Sequence, residues 1–246
     1  MNRRLGWIHQ LPDIRDFKLF LMPVSLPPAV DLRIDCPPVY DQGDLGSCTA
    51  NALAGDFEYD RIKQNKDFFM PSRLFIYYNE RVIEDTVRLD NGAIIRDGIK
   101  TMARQGVCSE KDWPYIINRY RTKPCRKYYT RALKNQITEY YAVNQSSDQL
   151  KGCLAAGFPF VFGFSVYQSF FNIKTDGIMP MPLPSESVEG GHAVMCVGYS
   201  DLKQTYIVRN SWSEKWGDQG YFYMPYEYIY NANLCSDFWT IKYVEY

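Results

Sequence analysis

The sequence predicts an α+β protein built as two lobes with a cleft between them. Three observations carry this. Helix-period apolar spacing dominates the first half of the chain, while short β-branched and aromatic runs dominate the second. In addition, 246 residues at 46% apolar composition suffice for one large core or a pair of them.

The elements follow in order. Residues 1–25 contain "LPDIRDF" and "MPVSLPP", where prolines break any periodicity, so this stretch reads as an extended arm laid over the body. Ala50, Leu53, Ala54 and Phe57 then fall at i, i+3, i+4 and i+7, which predicts a helix from about Cys48 toward Gln64. Pro71 is placed to open a second helix through "SRLFIYYNERVI". Ile95, Ile99, Met102 and Ala103 mark a third, ended by Gly106 as a C-cap. In "SSDQLKGCLAAG", Ser146 or Ser147 caps a face of Leu150, Cys153 and Leu154, and Gly157 ends it. From there the period changes. "FPFVFGFSVY", "GHAVMCVGYS", "TYIVRNSW", "YFYMPY" and "DFWTIKYVEY" are strand-like runs separated by Gly, Asp and Asn.

Composition excludes several classes of function. Lys plus Arg equals Asp plus Glu at 28 each, so no basic stripe is available to hold a phosphate backbone, and nucleic acid is not an expected partner. The stretch "MNRRLGWIHQLPDIRDF" lacks the apolar core of a signal peptide, and no run is long enough for a membrane span. Seven cysteines without any C-x-x-C, alongside two histidines, argue against a zinc site and for free thiols in a reducing compartment, cytoplasmic or virion. No metal or cofactor is expected.

Cys48 stands where a helix begins, and the partial positive charge of a helix N-terminus favours thiolate. Amide hydrolysis also needs a base that returns a proton to the leaving amine. His192, in "EGGHAVMCVGY", has glycines on one side to admit a substrate backbone and a strand on the other to fix the ring. His9 lies in the arm, where no pattern fixes it. Asn210 in "VRNSWSEKWGDQGY" is a neutral acceptor able to hold an imidazole tautomer, and Trp212 could roof that bond. Gln42 could aim its amide at a developing oxyanion beside the Cys48 N–H. Each alone also has a bland reading: a buried thiol, a satisfied strand histidine, a turn followed by core aromatics.

Together, "DQGDLGSCTA", "GGHAVMCVGY" and "NSWSEKWGDQGY" resemble the papain-like cysteine peptidases, papain and the cathepsins, in their order of Gln, Cys, His and Asn. "LPPAVDLR" is similar to the start of the mature family domain. The resemblance covers Leu26 to Tyr246 and implies a papain-like fold, with a helical left lobe over roughly 36–136 and a β-rich right lobe over roughly 137–246. It implies an endopeptidase acting on polypeptides through a Cys48–His192 thiolate–imidazolium pair and a thioester acyl-enzyme. Gln42 would be the oxyanion donor and Asn210 the orienter. Asn91, Gly92 and Ala93 stand where the family binds substrate backbone. Ala93, Ile95 and Ala193 would line a pocket for the side chain two positions before the cut, with Gly191 and Trp212 beside it and Asp237 near the far end.

The departures matter too. Leu45 and Asp90 stand where other members pair two cysteines, Thr49 replaces a Trp, and Gly191 replaces an Asp or Asn. In these features the chain is closest to the bacterial and large-DNA-virus branch, including giant-virus (mimivirus) cathepsin-like members. Residues 1–25 are too short for the family's helical prosegment. They are read as a short inhibitory or positioning arm cut near Leu26, or else as permanent framework. The alternatives in function are a catalytically silent peptide-binding or inhibitory module, and an acyl-transfer or exopeptidase variant.

Overall fold

The computed structural model describes residues 3–21 and 25–244. Parts of the expected arm, residues 1–2 and 22–24, lie outside the described residues, as does the end of the last predicted strand at 245–246.

A central helix, α1 (Cys48–Lys63), organises the molecule. Its buried residues run from Cys48 to Arg61 on every face rather than along one stripe, the mark of a helix covered on all sides. On one side pack α2 (Arg73–Ile83) and α3 (Ile95–Gln105), and on the other a sheet. Ser72, not Pro71, caps α2: its Oγ accepts from the Phe75 N–H at 3.1 Å. Gly106 ends α3 at φ +70°, where an added Cβ would meet the Ala132 carbonyl oxygen at 1.8 Å. Two further helices belong to the periphery, α4 (Arg126–Ala132) and α5 (Ser147–Ala155), the latter with Ser146 as its cap. The short α6 (Tyr226–Tyr230) follows the sixth strand.

The strands are β1 (Ala29–Asp31), β2 (Ile137–Ala142), β3 (Phe160–Tyr167), β4 (Val188–Ser200), β5 (Thr205–Arg209), β6 (Tyr221–Pro225) and β7 (Cys235–Val244). They form one antiparallel sheet in the order β2-β7-β3-β4-β5-β6, with β1 added to the far end of β4. In this register His192 lies opposite Phe164, and Ala193 opposite Gly163. One apolar core fills the helical lobe and reaches the near face of the sheet through Val161, Met195, Trp239 and Ile241. A second lies within the β-rich lobe around Phe160, Phe162, Phe164, Phe170 and Phe222, rings that meet edge-on, tilted or stacked. The α+β class and the five strands read from the sequence are present; β1, β2, α4 and α6 went unread. No described helix is long and apolar enough to cross a membrane.

All seven cysteines are free. Where relatives would carry a disulfide, Leu45 is buried in the core and Asp90 does the tying: its Oδ1 accepts from Gly46 N at 3.0 Å and from the Tyr77 hydroxyl at 2.7 Å. A largely buried carboxylate bridging two donors holds the loop that leads into α1. Asp90→Ala, which leaves both donors without their acceptor, should destabilise the fold by about 1–3 kcal/mol in urea denaturation. Reductant should leave the melting temperature of the unaltered protein unchanged.

Candidate active site

Cys48 is the first residue of α1 and is fully buried. The loop before it is turned by Gly43 at φ +59° and stitched to the β-rich lobe, with Gln42 N donating to Ser211 O at 2.9 Å. Across the cleft, His192 rides on β4. Its Nε2 lies 2.8 Å from Asn210 Oδ1, which also accepts from Ser211 N at 2.8 Å. Because that oxygen is an acceptor, Nε2 carries the proton and Nδ1 is left with its lone pair in the neutral ring. Nδ1 is buried without a hydrogen-bond partner among the described residues. Trp212 lies over the imidazole with ring centroids 5.0 Å apart, and Phe164 meets it edge-on at 5.8 Å. The two lobes touch at the sulfur itself. Ala193 N, one residue beyond the imidazole, donates to Cys48 Sγ at 3.4 Å.

The arm fills the space between them. Gly6 O accepts from Ala93 N at 2.8 Å, Ile8 N donates to Ala93 O at 3.0 Å, and Trp7 N donates to Gly191 O at 3.0 Å. Trp7 and Ala93 therefore pair in parallel, and one backbone segment bridges both walls of the cleft. The Gly6 backbone also approaches the Cys48 sulfur, where its N–H favours thiolate. The approach is so close that side chains are excluded on both partners. A Cβ at Gly6 would meet Gly46 O at 1.9 Å, one at Gly92 would meet Gly6 O at 2.0 Å, and one at Gly191 would meet Trp7 O at 2.5 Å. Gly191, the departure noted in the sequence, is what this crossing needs.

The Trp7 indole lies over Gly163, where a Cβ would come within 1.9 Å of the ring, and Nε1 donates to Asp237 Oδ2 at 2.9 Å. Asp237 also accepts from Gln10 N at 3.0 Å. Nearer the thiol, Gln42 Nε2 donates to Leu45 O at 2.9 Å and to Arg4 O at 3.1 Å, while its Oε1 accepts from Ser211 Oγ at 2.7 Å. Arg3 pairs with Asp41, and Arg4 with Asp90 at 2.8 Å. Beside the arm the cleft stays open as a cavity of about 520 Å³ that Arg3, Gly6, Asn91, Gln168 and Phe171 help to line.

Burial sets the charge state of this covered site. It pushes the Cys48 thiol up to about 12, against the opposing hydrogen bonds from Ala193, Gly6 and Thr49 N–H groups. Burial likewise pulls His192 down to about 4, against the favourable bond to Asn210. The helix N-terminus, worth roughly half a charge, does not overcome the loss of water. Under the arm, burial thus works against both partners of the thiolate–imidazolium pair expected from the sequence.

Of the residues singled out in the sequence, Gln42, Cys48, Gly92, Ala93, Gly191, His192, Ala193, Asn210 and Trp212 gather around the crossing. Asn91 lines the adjoining cavity. Ile95 is sunk in the helical-lobe core at the start of α3. Thr49, in place of a Trp, donates to the buried Glu80 Oε2 at 2.9 Å. Trp7, Gly163 and Ser211 were not read as site residues. Gly163 had a signal, a lone glycine inside the run "FVFGFSV"; Trp7 and Ser211 had none.

The papain family cysteine protease model matches residues 26–237. An uncharacterized peptidase C1-like protein of Acanthamoeba polyphaga mimivirus is 42% identical over 98% of this chain and 88% of its own length. A cathepsin L-like proteinase of Fasciola hepatica is 28% identical over 80% of this chain, which spans 58% of that protein. Among solved structures, xylellain, a cysteine protease from Xylella fastidiosa, superposes with a TM-score of 0.91 at 48% identity, covering 98% of each chain.

The charge states predict how acid acts on the arm. With His192 lowered from 6.5 to about 4 when covered, closure is fully supported above 6.5, and the support fades as pH falls from there toward 4. Asp237, raised by its own burial, works in the opposite direction, since its protonation at low pH favours closure. In Asp237→Asn the histidine contribution stands alone, so amide protection at Trp7 and Ile8 should fall steadily between pH 6.5 and 4. Flat protection factors across that range would refute the assignment.

Proposed function

The chain belongs to the papain family of cysteine proteases, and on that premise we propose that it is an endopeptidase whose Cys48–His192 pair is held closed by residues 3–10 of its own arm. The observation carrying this reading is the convergence on one strand: Ala193 N–H on the Cys48 sulfur at 3.4 Å, and the adjoining His192 held by Asn210 at 2.8 Å.

When the arm leaves, water reaches the pair and the desolvation that held it neutral is relieved. The helix N-terminus and the Ala193 N–H then favour thiolate, and His192 takes the proton. An extended substrate takes the arm's place between Ala93 and Gly191, using the same backbone groups. Attack by Sγ on the scissile carbonyl moves charge onto its oxygen, where Gln42 Nε2 and the Cys48 N–H donate. Ser211 Oγ and Leu45 O keep the Gln42 amide aimed there. His192 passes its proton to the departing amine, leaving a thioester, and water activated by the same imidazole releases the acid. Asn210 positions the ring, and Trp212 shields that bond.

The side chain two positions before the cut is proposed to occupy the site of the Trp7 indole, over Gly163 and Ala93 with Ala193 adjacent. That space suits a bulky apolar or aromatic group, and Asp237 at its end extends acceptance to side chains bearing N–H. Free thiols at all seven cysteines support a reducing setting, cytoplasm or virion.

Cys48→Ala and His192→Ala should abolish peptide cleavage, and Gln42→Ala should lower kcat by about 10²–10³-fold. In Gly6→Ala, where the arm is displaced, a limiting alkylator should modify Cys48 selectively among the seven thiols, an effect lost when His192→Ala is added. Uniform labelling, with no peptide turnover by either the unaltered chain or Gly6→Ala, would favour a silent binding module instead. In a fluorogenic panel, Leu, Phe and Trp two positions before the cut should all be accepted; a strict requirement for a basic residue would contradict the pocket assignment.

A further inference from the structure

Two arginines of the arm follow the Gly6 crossing toward its N-terminal end, and the cleft holds them differently. Gln42 Nε2, the proposed oxyanion donor, binds the Arg4 carbonyl oxygen at 3.1 Å. Arg3 therefore lies beyond the place of the scissile carbonyl, on the side of the leaving amine and away from Trp7. Its side chain is only 13% exposed. Nη1 donates to Asp41 Oδ1, while Nη2 donates to Trp212 O at 3.2 Å and reaches Asp41 Oδ2 at 3.5 Å. Arg4, by contrast, is 60% exposed and meets Asp90 Oδ2 at 2.8 Å, on a carboxylate whose other oxygen holds Gly46 and Tyr77. The Arg4 pair is a contact at the rim and contributes little. Arg3 fills a formed seat for a guanidinium group.

The seat is built by the lobes and not by the arm. Asp41 and Trp212 form an antiparallel bridge, flanked by Gln42 N donating to Ser211 O and Ser213 N donating to Tyr40 O, both at 2.9 Å. These bonds involve no arm atom and fix the spacing between the Asp41 carboxylate and the Trp212 carbonyl. Asp41 Oδ1 also accepts from Gly43 N at 2.9 Å, which orients the carboxylate. The nearest cation behind it, Arg73, donates to the Asp41 carbonyl at 3.3 Å and is itself paired with Glu110 at 3.1 Å, so it leaves the carboxylate to an incoming partner. Asp41 stays 48% exposed at the cleft. In the adjoining cavity the charged lining residue supplied by the lobes is the acidic Glu189. The seat is also close to the chemistry, because the Arg3 charge opposes protonation of His192.

We propose that Asp41 and the Trp212 carbonyl form a subsite that selects a basic side chain, arginine above lysine, at one of the two residues following the cut. The proposal rests on the peptidase reading above. A guanidinium fork can serve the carboxylate and the carbonyl at once, whereas an ammonium brings a point charge to one of them. An acidic side chain there would meet Asp41 and Glu189 as like charges. The preferred polypeptide thus carries a bulky apolar group two positions before the cut and a cation shortly after it, and Arg3 occupies the cation's place in the covered enzyme.

Internally quenched peptides decide this. Leu is fixed two positions before the cut, and Arg, Lys, Gln or Glu is placed first or second after it; the full-length chain and its Gly6→Ala variant act as enzyme, and mass spectrometry locates the cut. At one of the two places, kcat/KM for Arg should exceed that for Gln at least fivefold, with Lys between them and Glu below Gln. Adding Asp41→Asn, which keeps an acceptor for Gly43 N, should bring the Arg-to-Gln ratio to within twofold. Salt at about 0.5 M should shrink the ratio only where Asp41 is present. Cleavage with no basic preference at either place overturns the proposal and leaves the peptidase reading standing. So does a preference that persists in Asp41→Asn. If neither chain cleaves any of the peptides, the peptidase reading falls and takes this one with it.

Discussion

The backbone crossing of Gly6, Trp7 and Ile8 between Ala93 and Gly191 is the contact on which the rest of the site depends. It spans the two walls of the cleft with three hydrogen bonds. It is possible only because glycines stand at 6, 92 and 191, where a methyl group would overlap a carbonyl oxygen. Closely fitted backbone gives little room for compromise: the segment seats fully or not at all. The bare strand of glycines at 190 and 191, placed just before His192, therefore serves two tenants, the arm and the proposed substrate.

Two opposing electrostatic effects meet at Cys48. The N-terminus of α1 favours a thiolate, while exclusion of water favours the thiol, and in the covered site exclusion dominates. Exclusion of water likewise lowers His192, against its bond to Asn210. Covering the site is therefore more than a steric block, because it also removes the charge separation that the proposed chemistry needs. Uncovering reverses both together. In the covered site Asn210 already fixes the proton on Nε2 and the orientation of the ring.

Much of this was legible in the sequence, for reasons that differ by residue. The helix beginning at Cys48 announced itself by apolar spacing, and the strand carrying His192 by its glycines and β-branched run. Asn210 and Gln42 became meaningful only as members of an ordered set, since either alone is an ordinary turn residue. β2 was missed because "ITEYYA" is half polar and lies at the sheet edge, where packing gives only a weak pattern. The helix Arg126–Ala132 was missed because only its last residue is buried. The burial of the thiol was not legible, because a helix N-terminus is read from a local segment, whereas the cover comes from the arm, distant in sequence. The same distance hid the role of Asp90, which replaces a covalent tie with hydrogen bonds to Gly46 and Tyr77.

The central claim, that a tightly fitted arm segment keeps Cys48 covered and neutral, is tested most directly by one methyl group. Gly6→Ala places a Cβ 1.9 Å from Gly46 O with no change to either lobe. Measured as the rate of Cys48 alkylation on the folded protein at neutral pH, the account predicts at least a tenfold increase over wild type, with a parallel rise in peptide turnover. An alkylation rate equal to that of wild type would contradict it.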